Sequence, residues 1–532
     1  MTIAQTRPTS ADSAGAASNH PVSAASILGW HGLPSGVASD APALTWGVHH
    51  RTYGQLRARA RSLAGALREA GLEPGDRVVV HLPNRGETFE IYFACAYAGL
   101  TVVPTNFRFR SRELALVLED VVPAVIFTEA SLRGVVETAV AEVGQSARIV
   151  ELLADEPGPD YEQLSNGPEL TEYLPGTDPH LVLFTSGTTG RPKGIAMSHR
   201  CILEYAAQQV VNYPGITRDT VLLIVPPLFN AGGINDLAIA TFLMGGHLVL
   251  FPSGGWSAQG LLDAVDRHAV THAIWFPTMI KPILQTRAAT SSSGESLKAV
   301  VVGGEHCTPT ALRELRAAFP QAQFVNTYGL TEAGLVTQLP HDEFELKPES
   351  VGRVSRGGQA IDIRDADGAS LAAGFVGEIW TTCNFLPEGY WHAPELNDKA
   401  RLDGWLNTGD LGRVDADGYL YIEGRQRDLI ISKGQNIYPA EIESVLMEIP
   451  GVTACAVVGI PDPEFGETPH AVLVSARGDL TEDAVKEHVT ARLASFKRPR
   501  VVHFWDSLPL SDANKVPKAE VRDRIMTGSP TD

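Results

Sequence analysis

The chain has 532 residues, 44% of them hydrophobic and 20% charged, which is more than one hydrophobic core normally organises, so at least two domains are expected. A formal net charge of -19 argues against a nucleic-acid or anionic-membrane partner, because such surfaces need a positive field. Nucleotide binding stays open, since a few placed cations and backbone N–H groups achieve it locally.

The N-terminal residues 1–25 are small and polar, lack the apolar centre of a signal peptide, and read as a disordered leader. Leu and Ala at helical spacing predict a helix over 54–71, followed by a buried strand at 78–82 and an apolar helix at 89–100. The same alternation recurs at LVLFTS, VLLIVPPL, HLVLF, AIWFP, AVVVGG and QFVNTYG, predicting an α/β fold of mostly parallel strands covered by helices on both faces. No apolar run reaches the roughly 20 residues of a membrane span.

The strongest local signal is LVLFTSGTTGRPKG. An apolar strand runs into Thr185, Ser186, Gly187, Thr188, Thr189 and Gly190, then Lys193 and Gly194. The glycines let backbone approach an anion, hydroxyls and N–H groups donate to it, and Lys193 adds a compact positive charge. Walker A spacing fails, because Gly follows the lysine. Further on, the apolar strand KAVVV ends in Gly303, Gly304 and Glu305, which exposes bare backbone at a sheet's carboxyl edge.

From residue 351 closely spaced Asp-Gly pairs predict antiparallel hairpins in a small β-rich subdomain. After residue 427 a helix at 440–449, two strands and a second helix predict a compact α+β unit. The expected division is a domain over 26–426 and another over 427–532. The five cysteines form no CxxC pair, which argues against disulfides or zinc and suits a reducing cytoplasm.

TSGTTGRPKG, Gly-Gly-Glu at 303–305, NTYGLTE at 326–332, Thr-Gly-Asp at 408–410 and Gly-Arg at 424–425 occur in one order. Together they resemble the adenylate-forming superfamily of acyl-CoA synthetases, firefly-type luciferases and peptide-synthetase adenylation domains, over about residues 45 to 525. The resemblance implies ATP, Mg²⁺ and coenzyme A as cofactors, with Gly304 and Glu305 near adenine. Asn326 and Thr327 join them, and Tyr328 offers a stacking face. Thr331 would donate to the α-phosphate, and Glu332 with Thr188 would hold the metal. Asp410 suits the ribose hydroxyls and Arg425 the ribose or phosphate. Lys515 falls at the mobile catalytic lysine, although Asn514 replaces the usual glycine. Arg427 falls at the hinge, where Asp or Lys is usual, and Gly434 lines the thiol tunnel. The small C-terminal domain would rotate between half-reactions. Lys497, Arg498 and Arg500 would either meet coenzyme A's phosphates or form a solvated patch.

Asn230 is the departure of most consequence. CoA ligases and luciferases carry His there, and peptide-synthetase domains an Asp that pairs with the substrate's ammonium. Neutral Asn argues against an α-amino acid. Gly232, Gly233, Pro277, Thr278, Gly329, Leu330, Ala333 and Gly334 would complete an apolar acid pocket with Trp275, Phe276 and Met279, suited to an aryl or fatty acid. The expected function is a carboxylate–CoA ligase with a small-molecule acid substrate. The alternatives are another acid or acceptor (nitrite in a diazotase-like reaction, an amine, a carrier protein) and a nucleotide-binding regulator without turnover.

Overall fold

The computed structural model describes Ala24 and residues 37–154, 156–170, 179–185, 191–253, 256–290, 294–432, 435–510 and 516–528. The first expected helix spans Tyr53–Glu69. It starts where the Thr52 hydroxyl accepts from the Gln55 N–H and the Gln55 side chain accepts from the Thr52 N–H. The apolar helix spans Glu87–Ala98 and is buried on all sides, its few polar residues Glu87, Thr88 and Glu90 included.

That burial follows from its place between two sheets. Strands Leu181–Thr185, Thr101–Pro104, Arg77–His81, Val125–Glu129 and Arg148–Leu152 run parallel in one sheet. Val78, Val80 and Phe127 point to the two helices, while Val79, Val103 and Ile126 point to outer helices Ser111–Val121 and Arg133–Val143. A second, larger sheet repeats the division. Leu222, Ile224 and Val301 join the core of the central helices, and Leu223, Trp275 and Val302 pack against Ala258–Arg267, Pro277–Ala289 and Pro309–Ala318. The result is five alternating layers of helix and sheet.

Antiparallel pairing enters at the sheet edges. Leu181–Thr185 folds back on Lys193–Met197, and Gln323–Leu330 on Gly334–Leu339. The Asp-Gly hairpins form a separate antiparallel sheet that includes Gly377–Thr382, Trp405–Val414 and Leu420–Arg425. The C-terminal unit has helix Pro439–Met447 and the long ribbon Val452–Asp462 with Gly466–Ser475, extended in parallel by Val501–Phe504.

Of the expected leader, only Ala24 lies within the described residues. It is buried, and its N–H donates to His199 Nδ1 at 3.1 Å. No described helix is long and apolar enough to cross a membrane.

Candidate active site

Three sheets meet at the hairpin 323–339. Its first strand lies parallel to Ala299–Gly303, so Asn326 and Thr327 stand opposite Val302 and Gly303. A Cβ on Gly303 would come within 2.3 Å of Thr327 Oγ1, so glycine is what lets these strands sit flush. Gly304 follows in the left-handed region at φ +81, exposed, and Glu305 Oε2 accepts weakly from the Thr278 N–H at 3.4 Å.

Beyond Thr327 the strand carries Tyr328, whose hydroxyl donates to Asp410 Oδ2 at 2.7 Å. Arg425, paired with Asp410 across the neighbouring ribbon, places Nε 3.3 Å from Oδ1. Burial pushes the Tyr328 phenol well up, and the charge on Asp410 adds to this.

The hairpin turns at Thr331-Glu332-Ala333. Glu332 Oε1 accepts from the Tyr390 hydroxyl at 3.4 Å. Tyr390 belongs to Gly389–Tyr390, an edge strand on Lys193–Met197, and Lys193 Nζ lies 5.8 Å from its ring centre. Burial raises the Glu332 carboxyl, with the Tyr390 hydroxyl and the Arg425 charge offsetting part of it. A half-buried carboxylate that accepts only from its own backbone N–H and a distant hydroxyl, with no ion pair among the described residues, suits a divalent cation, whose charge would reverse that penalty. Thr185 stands opposite Lys193, and its hydroxyl donates to the Lys193 carbonyl at 3.4 Å. Ser186, Gly187, Thr188, Thr189, Gly190, Gly434 and Lys515 lie outside the described residues.

On the acid side, Asn230 begins the helical turn Ala231–Ile234 through its backbone, its carbonyl accepting from Gly233 at 3.0 Å and Ile234 at 3.1 Å. Its carboxamide makes no cap bond. Gly233 is pressed on the Pro227 carbonyl, where a Cβ would sit 2.2 Å away, while the space at Gly232 is open until Pro226 and Asp236 at 3.8 and 3.9 Å. Gly329 packs against the Gly334 carbonyl, and a Cβ on Gly334 would meet the Tyr205 ring at 2.7 Å. Leu330 is half-buried, Ala333 buried, Pro277 half-buried at the start of its helix and Thr278 exposed. Trp275 and Met279 face the outer core instead, Trp275 edge-on to Phe319.

Arg427 occupies the single turn Gln426–Asp428 between the two domains expected, with Nε 3.7 Å from Asp428 Oδ1. Lys497 is bound to Glu441 at 2.6 Å and Arg500 lies over the Phe465 ring, which favours the solvated-patch reading of the basic stretch.

Sequence reasoning missed Tyr390, which has no signal beyond an aromatic pair after a glycine, and Asp236, hidden in an otherwise apolar run.

Residues 35–391 match the AMP-binding enzyme family, and residues 441–515 its C-terminal domain. The chain belongs to the AMP-binding enzyme family. It is 34% identical over 499 residues to a feruloyl-CoA synthase of Amycolatopsis sp, covering 92% of this chain and 97% of that one. Against the fatty acid–[acyl-carrier-protein] ligase ScoC of Streptomyces coeruleorubidus the identity is 33%, covering 90% of this chain and 92% of ScoC. The crystal structure of ATP-bound MatB from Rhodopseudomonas palustris superposes with a TM-score of 0.86 at 29% identity, covering 94% and 98% of the two chains. This AMP-binding enzyme is therefore an AMP-forming ligase that uses ATP, Mg²⁺ and coenzyme A, activating an acid as its acyl-adenylate and then transferring the acyl group to the thiol.

Proposed function

We propose that the acid is an aromatic carboxylic acid, and that the motif residues hold the roles the resemblance implies. The observation that carries the assignment of roles is the convergence of Tyr328, Asp410, Arg425, Glu332 and Lys193 on one hairpin from three sheets. Asp410 takes the ribose hydroxyls and Arg425 the ribose or α-phosphate. Gly304, Glu305, Asn326, Thr327 and the Tyr328 face take adenine. The loop from Thr185 to Gly190, with Lys193, takes the β- and γ-phosphates. Glu332 and Thr188 would hold the metal, whose charge would offset that of the phosphates as an anionic carboxylate approaches.

In the first half-reaction a carboxylate oxygen attacks the α-phosphorus, the bond to the bridging oxygen breaks, and pyrophosphate leaves. Thr331 and Lys515 stabilise the charge that develops on the α-phosphate. In the second, the thiolate attacks the acyl carbon and AMP departs, with Gly434 leaving room for the pantetheine arm. The free cysteines fit the cytoplasm as the compartment.

The aromatic reading is supported by the rings around the pocket, with Tyr205 against Gly334 and Phe229 edge-on to Phe107 at 6.0 Å, and by the feruloyl-CoA synthase relative. A fatty acid is the second reading, favoured by the ScoC relative, a fatty acid ligase. Pyrophosphate release across aromatic and fatty acids, with and without coenzyme A and with products identified by mass, separates them. Coenzyme A-dependent formation of an aryl-CoA is expected. Turnover confined to fatty acids overturns the aromatic assignment.

A further inference from the structure

Asp236 is a half-buried carboxylate in the wall of the proposed acid pocket, and only one of its oxygens is engaged. Its Oδ1 accepts from the Tyr205 hydroxyl and from Gln209 Nε2, the latter at 3.3 Å. No described group hydrogen-bonds to Oδ2 and no described cation pairs with it. That oxygen faces Gly232, where a Cβ would come to 3.9 Å. Tyr205 in turn lies against Gly334, and Tyr213 stands beside both Thr327 and Asp236. The free oxygen is therefore set among residues of both walls expected to enclose the acyl group.

The surroundings hold Asp236 in this pose. Gln209 Oε1 accepts from the Leu237 N–H at 2.8 Å, which fixes the amide so that its Nε2 must face Asp236. Leu237 takes a left-handed φ of +56, a strained conformation for a side chain of that size, which persists only where its surroundings over-determine it. Burial raises the Asp236 carboxyl, while the Tyr205 and Gln209 bonds favour its ionised form. A half-buried carboxylate held in one pose, with an accessible oxygen turned to the space at Gly232, offers an acceptor to a donor that enters there.

We infer that Asp236 is a specificity-determining residue that accepts a hydrogen bond through Oδ2 from a donor on the acyl group, a phenolic hydroxyl or an amino group on the aromatic ring. The inference rests on the aromatic reading and narrows it to donor-bearing aryl acids.

Asp236→Asn is a specific probe. Tyr205 and Gln209 both donate to the Oδ1 position, so they orient the new amide with its NH₂ where Oδ2 stood. An acceptor becomes a donor while both supporting bonds persist. The measurement is kcat/KM, by pyrophosphate release with ATP, Mg²⁺ and coenzyme A. It is made on the full chain for matched benzoic and cinnamic acids carrying hydroxyl, amino, fluorine or hydrogen at the meta or para position. Wild type is expected to prefer a hydroxyl or amino acid over its fluoro and unsubstituted counterparts at least about tenfold, and Asp236→Asn to narrow that ratio at least about tenfold. The hydroxyl and amino arms tell the two donors apart. Turnover of aryl acids without donor preference in wild type overturns the inference alone, as does an unchanged ratio in a variant whose melting temperature shows it folded. If the variant does not fold, the wild-type matched pairs decide. Pyrophosphate release with none of the aryl acids overturns the aromatic reading and the inference with it.

Discussion

A carboxyl group held away from water is least favourable to a folded chain when it is ionised, and Glu332 is such a group. Its folded pKa is raised above the ordinary 4.5, so the folded state keeps its proton where the unfolded chain has lost it. Stability from this source is present at low pH and is lost as pH climbs from 4.5 through the raised value. Glu332→Gln should therefore raise the melting temperature of the ligand-free protein at pH 8, with the gap closing toward pH 4. Adenylation at saturating ATP and Mg²⁺ should fall at least about tenfold. Calorimetry across that pH range checks the first part, and a melting temperature at pH 8 no higher than wild type would refute it. Glu332 was legible because its motif is a contiguous string in one turn. Tyr390, its partner 58 residues later in the chain, was not, because the contact exists only once an edge strand is laid on Lys193–Met197. Asp236 escaped for a related reason: its meaning comes from Tyr205 and Gln209, on a helix that precedes it by about 30 residues of chain.

At the scale of elements, helix Glu87–Ala98 is apolar enough to lie between two sheets, yet it carries Glu90 with a fully buried side chain. Arg51 and Arg59 reach Glu90 Oε1 at 2.9 and 2.8 Å, and the Tyr161 hydroxyl donates to Oε2 at 2.9 Å. Arg59 also holds Glu162 at 2.9 Å. This knot ties the helix to Tyr53–Glu69, to the strand before it and to Pro159–Ser165. Glu90→Gln leaves two arginines without their shared anion and should cost about 3 kcal/mol, at the low end for a broken buried pair because Arg59 keeps Glu162. The midpoint of urea unfolding reads this out, and a shift below about 0.5 kcal/mol would show the knot to be dispensable. Periodicity announced both helices, but the polar knot inside them stayed hidden, because Glu and Arg at such spacing read equally well as a solvated face.

For the whole molecule, we place the division between domains at the single turn Gln426–Asp428, immediately after the strand that supplies Arg425. The residues proposed to bind the nucleotide lie before that turn, whereas Lys515 and Gly434 come after it. Two half-reactions that draw on different faces of the second unit should be separable by mutation. Lys515→Ala should abolish adenylation while leaving thioester formation from a supplied acyl-adenylate largely intact. Single-turnover assays of each half-reaction test this, and equal loss of both would remove Lys515 from the adenylation step. The layering of mostly parallel strands with helices on both faces was legible from the alternation of apolar strands and helices, but their division between two stacked sheets was not. The antiparallel edges were less so, since a strand's direction depends on its neighbour and not on its own residues.

The hairpin 323–339 meets Asp410, proposed to bind the nucleotide, on one side and Tyr205 on the other. Asn230, Asp236, Tyr205 and Gln209 come from a different stretch of chain, helix His199–Asn212 and the turn after the strand Val221–Ile224. Division of labour on this plan lets one part drift under selection while the other stands still. A lineage can try new acids by altering residues between 199 and 237 without disturbing how ATP is held, and a laboratory can transplant that block between relatives to exchange diet without rebuilding the engine.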